Sequence, residues 1–388
     1  MKQFLLSLLA ISSMFVTSAQ EEVEVFLFSG MNGELVLDNG ETVTFWGYGE
    51  LPGNEMTLPA PLLRFNQGDQ VTINMFNFSP EAHTIHLHGL DVDQANDGVP
   101  QTSFQVLPNE QGTYSFTADF PGTYLYHCHV TTTLHLTMGM YGFVMVEYAE
   151  DQLFEEGPTY DRRYEYLFSD LEIETNQNPT QAFPFHEIFP DYFMVNGLSG
   201  NQLTDDSSQH LYFENGDRIL LRLGSMAYSL SKVIIPEGLN PTVYMSDGRV
   251  LPETFSPDTL EIYPGERFSV ILEPDDNAFE DIEVEYYDML NKEYQHTNTI
   301  VVEDLALNIN DAAEAADANI IVYPNPVDNT AYIRSNTNGV ALLMDVSGRI
   351  CETFNLQDGI TPVDLSMFNP GLYFIQNEKG ERTRLIIR

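Results

Sequence analysis

HTIHLHG at residues 83–89 and YHCHVTTTLHLTMGM at residues 126–140 hold six of the chain's nine histidines and one of its two cysteines. An even spread would put about one histidine in a window of that length, so the clustering points to a binding function. Successive side chains of a strand point to opposite faces. On that parity His86 and His88 share one face and His83 takes the other. His127 and His129 likewise share a face, and Cys128 between them points away. Two neighbouring strands thus carry His83 and Cys128 on one side and four histidines on the other, roughly 10 Å apart, the thickness of a sheet layer.

His83, Cys128, His135 and Met140 supply two imidazoles, a thiolate and a weak thioether, the donor set of a mononuclear blue-copper centre. His86, His88, His127 and His129 form a second set. Core packing does not account for them, because a buried imidazole without a partner costs stability. His186, His210 and His296 form no pair, and surface or locally hydrogen-bonded roles are expected for each.

The flanking sequence is built of short alternating segments bounded by turn residues, the pattern of strands. RFNQGDQVTINMFNFS (64–79), QGTYSFTADFPGTYLYHCH (111–129) and YGFVMVEY (141–148) place one β domain over residues 20–150. RILLRL (218–223), TLEIYP (259–264), RFSVILEP (267–274) and TIVVED (299–304) place a second over 151–304. An Ala/Asn/Asp-rich stretch, 305–318, has the composition of a solvated linker. Residues 319–388 form a small third β unit. Residues 1–19 read as a signal peptide, with Lys2, an apolar run from Phe4 to Val16, and small residues ending at Ala19.

Sixteen basic against fifty-eight acidic residues give a formal net charge of −42, which argues against nucleic acid and anionic membranes as partners. Cys128 and Cys351 fall in different domains, so a lone thiol between two histidines is read as a metal ligand rather than half of a bridge.

The first domain resembles the multicopper oxidases through LPAPLLRFNQGDQVTINMFN (58–77), HLHGLDVDQANDGVP (86–100), GTYLYHCH (122–129) and LTMGM (136–140). The second is similar to the copper-free middle domain of three-domain members through FMVNG (193–197), GDRILLRL (216–223), SDGRVLPET (246–254) and PGERFSVILEP (264–274). The tail resembles the type A sorting domain of Bacteroidetes type IX secretion through YPNPV (323–327), Gly-Leu-Tyr (371–373) and the end LIIR (385–388). Two departures stand out. The blue-copper ligands lie in the first domain, not the last. The loop from Cys128 to His135 is also two residues longer than the usual oxidase spacing.

The resemblance implies an all-β chain of two cupredoxin-like Greek-key β-sandwich domains followed by a small β-sandwich sorting domain. It implies type 1 copper on His83, Cys128, His135 and Met140, and type 2 and type 3 copper on His86, His88, His127 and His129. Asp97 matches a proton-relay position, with a turn residue satisfying local backbone donors as the alternative. The implied function is a secreted oxidase coupling one-electron oxidation of a phenolic or metal-ion donor to reduction of dioxygen. Type IX machinery would carry the chain through the periplasm and outer membrane to the medium or cell surface.

A full cluster takes eight histidines and one chain supplies four. A homo-oligomer, such as two first domains facing across a twofold axis, a separate partner chain, or a reduced cluster all remain open. Two other functions stay open beside the oxidase. One is a copper nitrite reductase, against which His86 stands where those enzymes place an acid. The other is a blue-copper electron carrier, which has no use for the second histidine set.

Overall fold

The computed structural model describes residues 21–388 except 53–55, 150, 180–187, 276–277, 279, 306–319, 324–326, 328–329, 336–337, 346–348, 358, 370, 378–381 and 388. The expected signal peptide, nearly all of the expected linker, and His186 lie outside the described residues. The all-β expectation holds. Residues up to Asp304 form one compact unit and those from Leu305 onward a second.

The first half of the larger unit contains β1 (Glu22–Val36), β2 (Thr42–Gly49), β3 (Leu63–Asn66), β4 (Gln70–Asn77), β5 (His86–His88), β6 (Gln111–Thr117), β7 (Gly122–His127) and β8 (Tyr141–Glu147). They make two four-stranded sheets, in the orders β2-β1-β4-β6 and β3-β8-β7-β5. Sequence alternation becomes burial directly. In β6, Gly112, Tyr114 and Phe116 face inward while Gln111, Thr113 and Ser115 face solvent. Leu27, Ile73, Met75, Tyr114, Tyr124 and Val144 meet in the core between the sheets, and Cys128 and Met140 belong to the same cluster.

The second half has a six-stranded sheet built around Arg162–Leu171, Ile219–Ser225 and Arg267–Leu272, and a four-stranded sheet around Leu230–Ile234 and Ile282–Tyr287. Two of the contacts that fuse it to the first half are an apolar cluster and a buried ion-pair network. Leu125, Tyr141, Phe143 and Met145 pack with Leu167 and Met226. The fully buried Arg222 donates to Glu147 at 2.5 Å, and Glu147 is also paired with Arg64, which bridges to Glu165 at 2.7 Å. The smaller unit carries a three-stranded and a four-stranded sheet over a core that includes Ile333, Leu343 and Ile375.

Candidate metal centres

Strand pairing places the histidines as parity predicts. β5 and β7 run antiparallel with His86 opposite His127 and His88 opposite Leu125. His83 lies just before β5, where its backbone exchanges two hydrogen bonds with Val106, at 3.1 and 2.9 Å. Beyond β7 the Cys128 N–H donates to the Met140 carbonyl at 3.1 Å, and the Met140 N–H to the His135 carbonyl at 3.0 Å. The loop between them contains one short helix, α1 (Thr132–Thr137), which carries His135. The loop thus closes through a helical turn. It starts from Thr131 at φ 43°, a left-handed conformation that a β-branched residue rarely adopts.

At the first centre the Nδ1 atoms of His83 and His135 lie 3.3 Å apart, and Cys128 Sγ lies 3.1 Å from His135 Nδ1 and 3.6 Å from His83 Nδ1. His83, Cys128, His135 and Met140 are all fully buried. Burial lowers the His83 imidazole to about 3, helped by His135, and lowers His135 to about 4. Burial also raises the Cys128 thiol. Two neutral imidazoles and a thiol thus converge at a point where they meet chiefly one another. Neither Nε2 has a hydrogen-bond partner, and that of His135 stands 3.6 Å from a Glu81 carboxylate oxygen. Converging buried donors of this kind are costly unless an ion satisfies them, and two nitrogens with a thiolate and a thioether suit copper. The indole of Trp46 meets His135 edge to face, with ring centres 5.2 Å apart.

At the second centre, ligand atoms of His86, His88 and His127 lie within 4.8 Å of one another. His88 Nδ1 is 3.2 Å from His127 Nε2. His86 Nδ1–H donates to the Asp97 carbonyl at 2.8 Å and His127 Nδ1–H to the Cys128 carbonyl at 3.0 Å, which directs both Nε2 atoms away from the backbone, that of His127 towards His88. His129 stands slightly apart. Its ring centre is 5.1 Å from that of His86, and its Nδ1 is 3.3 Å from Thr132 Oγ1. Asp97 reaches His86 because Gly98 turns the chain at φ 72°, where a Cβ would fall 1.9 Å from the Ile85 carbonyl oxygen. The Asp97 carboxylate lies 3.3 Å from His86 Nδ1.

Residues 38–151 match one Multicopper oxidase family model and residues 164–307 match another. The chain belongs to the multicopper oxidase family. Residues 321–388 match the Secretion system C-terminal sorting domain, the signature of an exported protein. The chain is 29% identical to Copper resistance protein A of Escherichia coli, over 57% of this chain and 42% of that protein. It is 30% identical to Laccase-4 of Trametes villosa, over 57% of this chain and 44% of that one. It thus spans under half the length of these curated relatives. The solved Blue Copper Oxidase from Nitrosomonas europaea superposes with a TM-score of 0.61 at 26% identity, covering 74% of this chain and 87% of that one.

In this multicopper oxidase the second histidine set opens on a cavity of about 550 Å³ whose far wall is the chain's own second domain, including Asp170, Met226, Tyr228, Gly265 and Met289. Gly265 sits against the His88 ring, where an added Cβ would lie 3.1 Å from Cε1. The wall brings no histidine among the described residues. His210 is held by Glu303 at 2.5 Å and the Thr204 carbonyl at 2.8 Å, and His296 stacks on Phe193 and contacts Asn298, so both take the local roles expected. Trp46, Glu81, Asp170 and Gly265 carry no spacing signal that ties them to the histidines. Only the singularity of Trp46 in the composition marks it.

The depressed imidazoles fix a pH dependence. His127 is lowered to about 3, chiefly by burial, and His88 to about 4 by burial and then by Arg267. With His83 and His135, four histidines refuse protons in the fold that an unfolded chain accepts below the ordinary value of 6.5. Asp170, raised by burial to about 6, works the opposite way and offsets one of them. Stability rises with pH wherever the unfolded state binds more protons. The copper-free protein should therefore lose stability steadily as pH falls from about 6.5 towards 4. Thermal unfolding across that range checks this, and a flat midpoint would contradict the burial of the imidazoles.

Proposed function

We propose that the chain is an exported copper oxidase. It takes single electrons from a small reduced donor, phenolic or metal-ion, at the centre of His83, Cys128, His135 and Met140. It delivers them to dioxygen at the centre built on His86, His88, His127 and His129. The observation that carries this reading is the tripeptide His127-Cys128-His129, in which the middle residue belongs to one donor set and its neighbours to the other. The two centres are therefore joined through adjacent residues.

Type 1 copper would be held by the first set, and type 2 and type 3 copper by the second. Copper there supplies one-electron redox chemistry that the side chains lack on their own. The chain contributes the rest. Burial keeps the imidazoles neutral and able to bind. The carbonyls of Asp97 and Cys128 fix the tautomers of His86 and His127, the kind of outer contact that orients metal ligands. Reduction of dioxygen to water consumes a proton for every electron. The partly exposed Asp97 carboxylate, beside His86, is placed to pass those protons from solvent to the cavity.

The histidines missing from a full cluster come, in this reading, from a second chain. Both described histidines of the second domain are engaged elsewhere, which supports a homo-oligomer or a partner protein over completion within one chain. Type IX machinery would carry the protein through the periplasm and outer membrane to the surface or medium, in keeping with the sorting domain.

One observation favours a second reading, a copper nitrite reductase: three histidines rather than four converge within 4.8 Å, which suits a single copper. Purified copper-loaded protein separates the two. The oxidase consumes dioxygen when given a phenolic or ferrous donor and releases no nitric oxide from nitrite. The reverse pattern establishes the reductase. Neither activity leaves an electron carrier.

A further inference from the structure

His86 and His127 are oriented by carbonyls of their own domain, whereas no backbone carbonyl is hydrogen-bonded to His88 among the described residues. Its ring is also set the other way round. Nδ1, not Nε2, faces the neighbouring ligand, 3.2 Å from His127 Nε2. The opposite edge of the ring meets the second domain. A Cβ added to Gly265 would stand 3.1 Å from His88 Cε1 and 3.5 Å from Nε2. The glycine backbone therefore supports that edge and limits how far the ring can tilt away from His127.

Gly265 is itself fixed at both ends. Its N–H donates to the Ser225 carbonyl at 2.7 Å, and its carbonyl accepts from Arg267 Nη1. Arg267 is 4% exposed and reaches out of the second domain into the first. Its Nε donates to the Thr123 carbonyl of β7 at 3.4 Å, and Asp247 pairs with its Nη1 at 2.9 Å. Its Nη2 lies over Gly89, the residue after His88, where an added Cβ would come within 2.2 Å. One side chain thus touches β7, the backbone beside His88 and the turn that supports the His88 ring.

We propose that the second domain, which supplies no ligand among its described residues, orients one. Arg267 clamps the two domains, and the Gly265 that it holds sets the His88 ring with Nδ1 towards the second centre. Both are positioning residues, acting on copper only through His88, as outer contacts of metal ligands do. The proposal rests on the reading of His88 as a ligand of that centre.

Variants of the full-length protein are compared by chelator competition for copper at the second centre and by electron paramagnetic resonance. Nitrogen NMR of the imidazoles in the copper-free protein follows the His88 ring, its resonances assigned by their loss in His88→Gln. Gly265→Ala and Arg267→Met are each expected to weaken copper binding at the second centre roughly 10–100-fold. Both shift the His88 resonances and leave the blue-copper signal unchanged. Arg267→Lys, which keeps a charged donor, recovers part of the loss. Gly216→Ala carries the same backbone penalty, at φ 92°, but with no atom within 4 Å of the added Cβ. Arg249→Met removes another interdomain cation, which bridges to Asp91 at 2.8 Å. Both controls keep the parent's copper affinity and His88 resonances. The proposal is overturned if Gly265→Ala and Arg267→Met match the parent in both readouts. It is equally overturned if Arg249→Met weakens the second centre as far as Arg267→Met does, since any loosened domain contact would then suffice. Should Arg267→Met not fold, Gly265→Ala against Gly216→Ala decides. Unchanged second-centre copper in His88→Gln counts against the ligand reading alone, while the copper-free NMR still tests the orientation.

Discussion

Cys128→Ser is expected to abolish the visible thiolate-to-copper absorption and reduce donor-dependent dioxygen uptake to background, with the fold retained. Serine is close to isosteric with cysteine, and the site is fully buried, so little volume is lost. The hydroxyl keeps a polar atom near the Nδ1 atoms of His83 and His135, which limits the stability cost to about 1–3 kcal/mol. What it does not keep is a soft thiolate, the ligand that gives a blue-copper centre its colour and its covalent path outward. His127 and His129 on either side are untouched, so copper at the second centre should remain detectable while turnover is lost. Optical spectra, an oxygen electrode and thermal unfolding on the same preparation check all three parts. Sustained turnover in this variant means that electrons do not pass through residue 128.

Glu147→Ala should produce the largest loss of stability outside the metal centres. Glu147 is 6% exposed and Arg222 wholly buried, and their 2.5 Å contact joins the first domain to the second. Arg64 holds the other Glu147 oxygen, while Arg222 Nη1 reaches Thr123 at 3.2 Å and its Nε has no partner. Removing the carboxylate leaves a guanidinium buried and uncompensated, a change that costs about 3–5 kcal/mol. Replacing both partners, as Glu147→Leu with Arg222→Met, should cost much less, because no stranded charge remains. Urea unfolding midpoints decide the matter. A loss below about 1 kcal/mol for Glu147→Ala would show that water reaches Arg222.

The grouping of the donor side chains into two sets was legible in the sequence because it rests on local rules. Strand parity alone separates His83 and Cys128 from His86, His88, His127 and His129, and the pairing of β5 with β7 realises it. Helix α1 was not legible. TTLHLT is rich in threonine, a poor helix former, and the turn exists because the loop must bring His135 back onto Cys128. Nor does the sequence show that Gly265 lies on His88 or Trp46 on His135. Those contacts depend on how the domains and loops meet across long separations, and no periodicity encodes that. The half-site of four histidines is also less uniform than parity implies, since ligand atoms of three converge and His129 stands aside.

Copper counting combined with electron paramagnetic resonance on the purified full-length protein tests the two-centre account most directly. The account predicts more than one copper per chain, with one blue-copper signal from the centre of His83, Cys128, His135 and Met140 and further copper bound at the histidine face. One copper per chain with only the blue signal would contradict it.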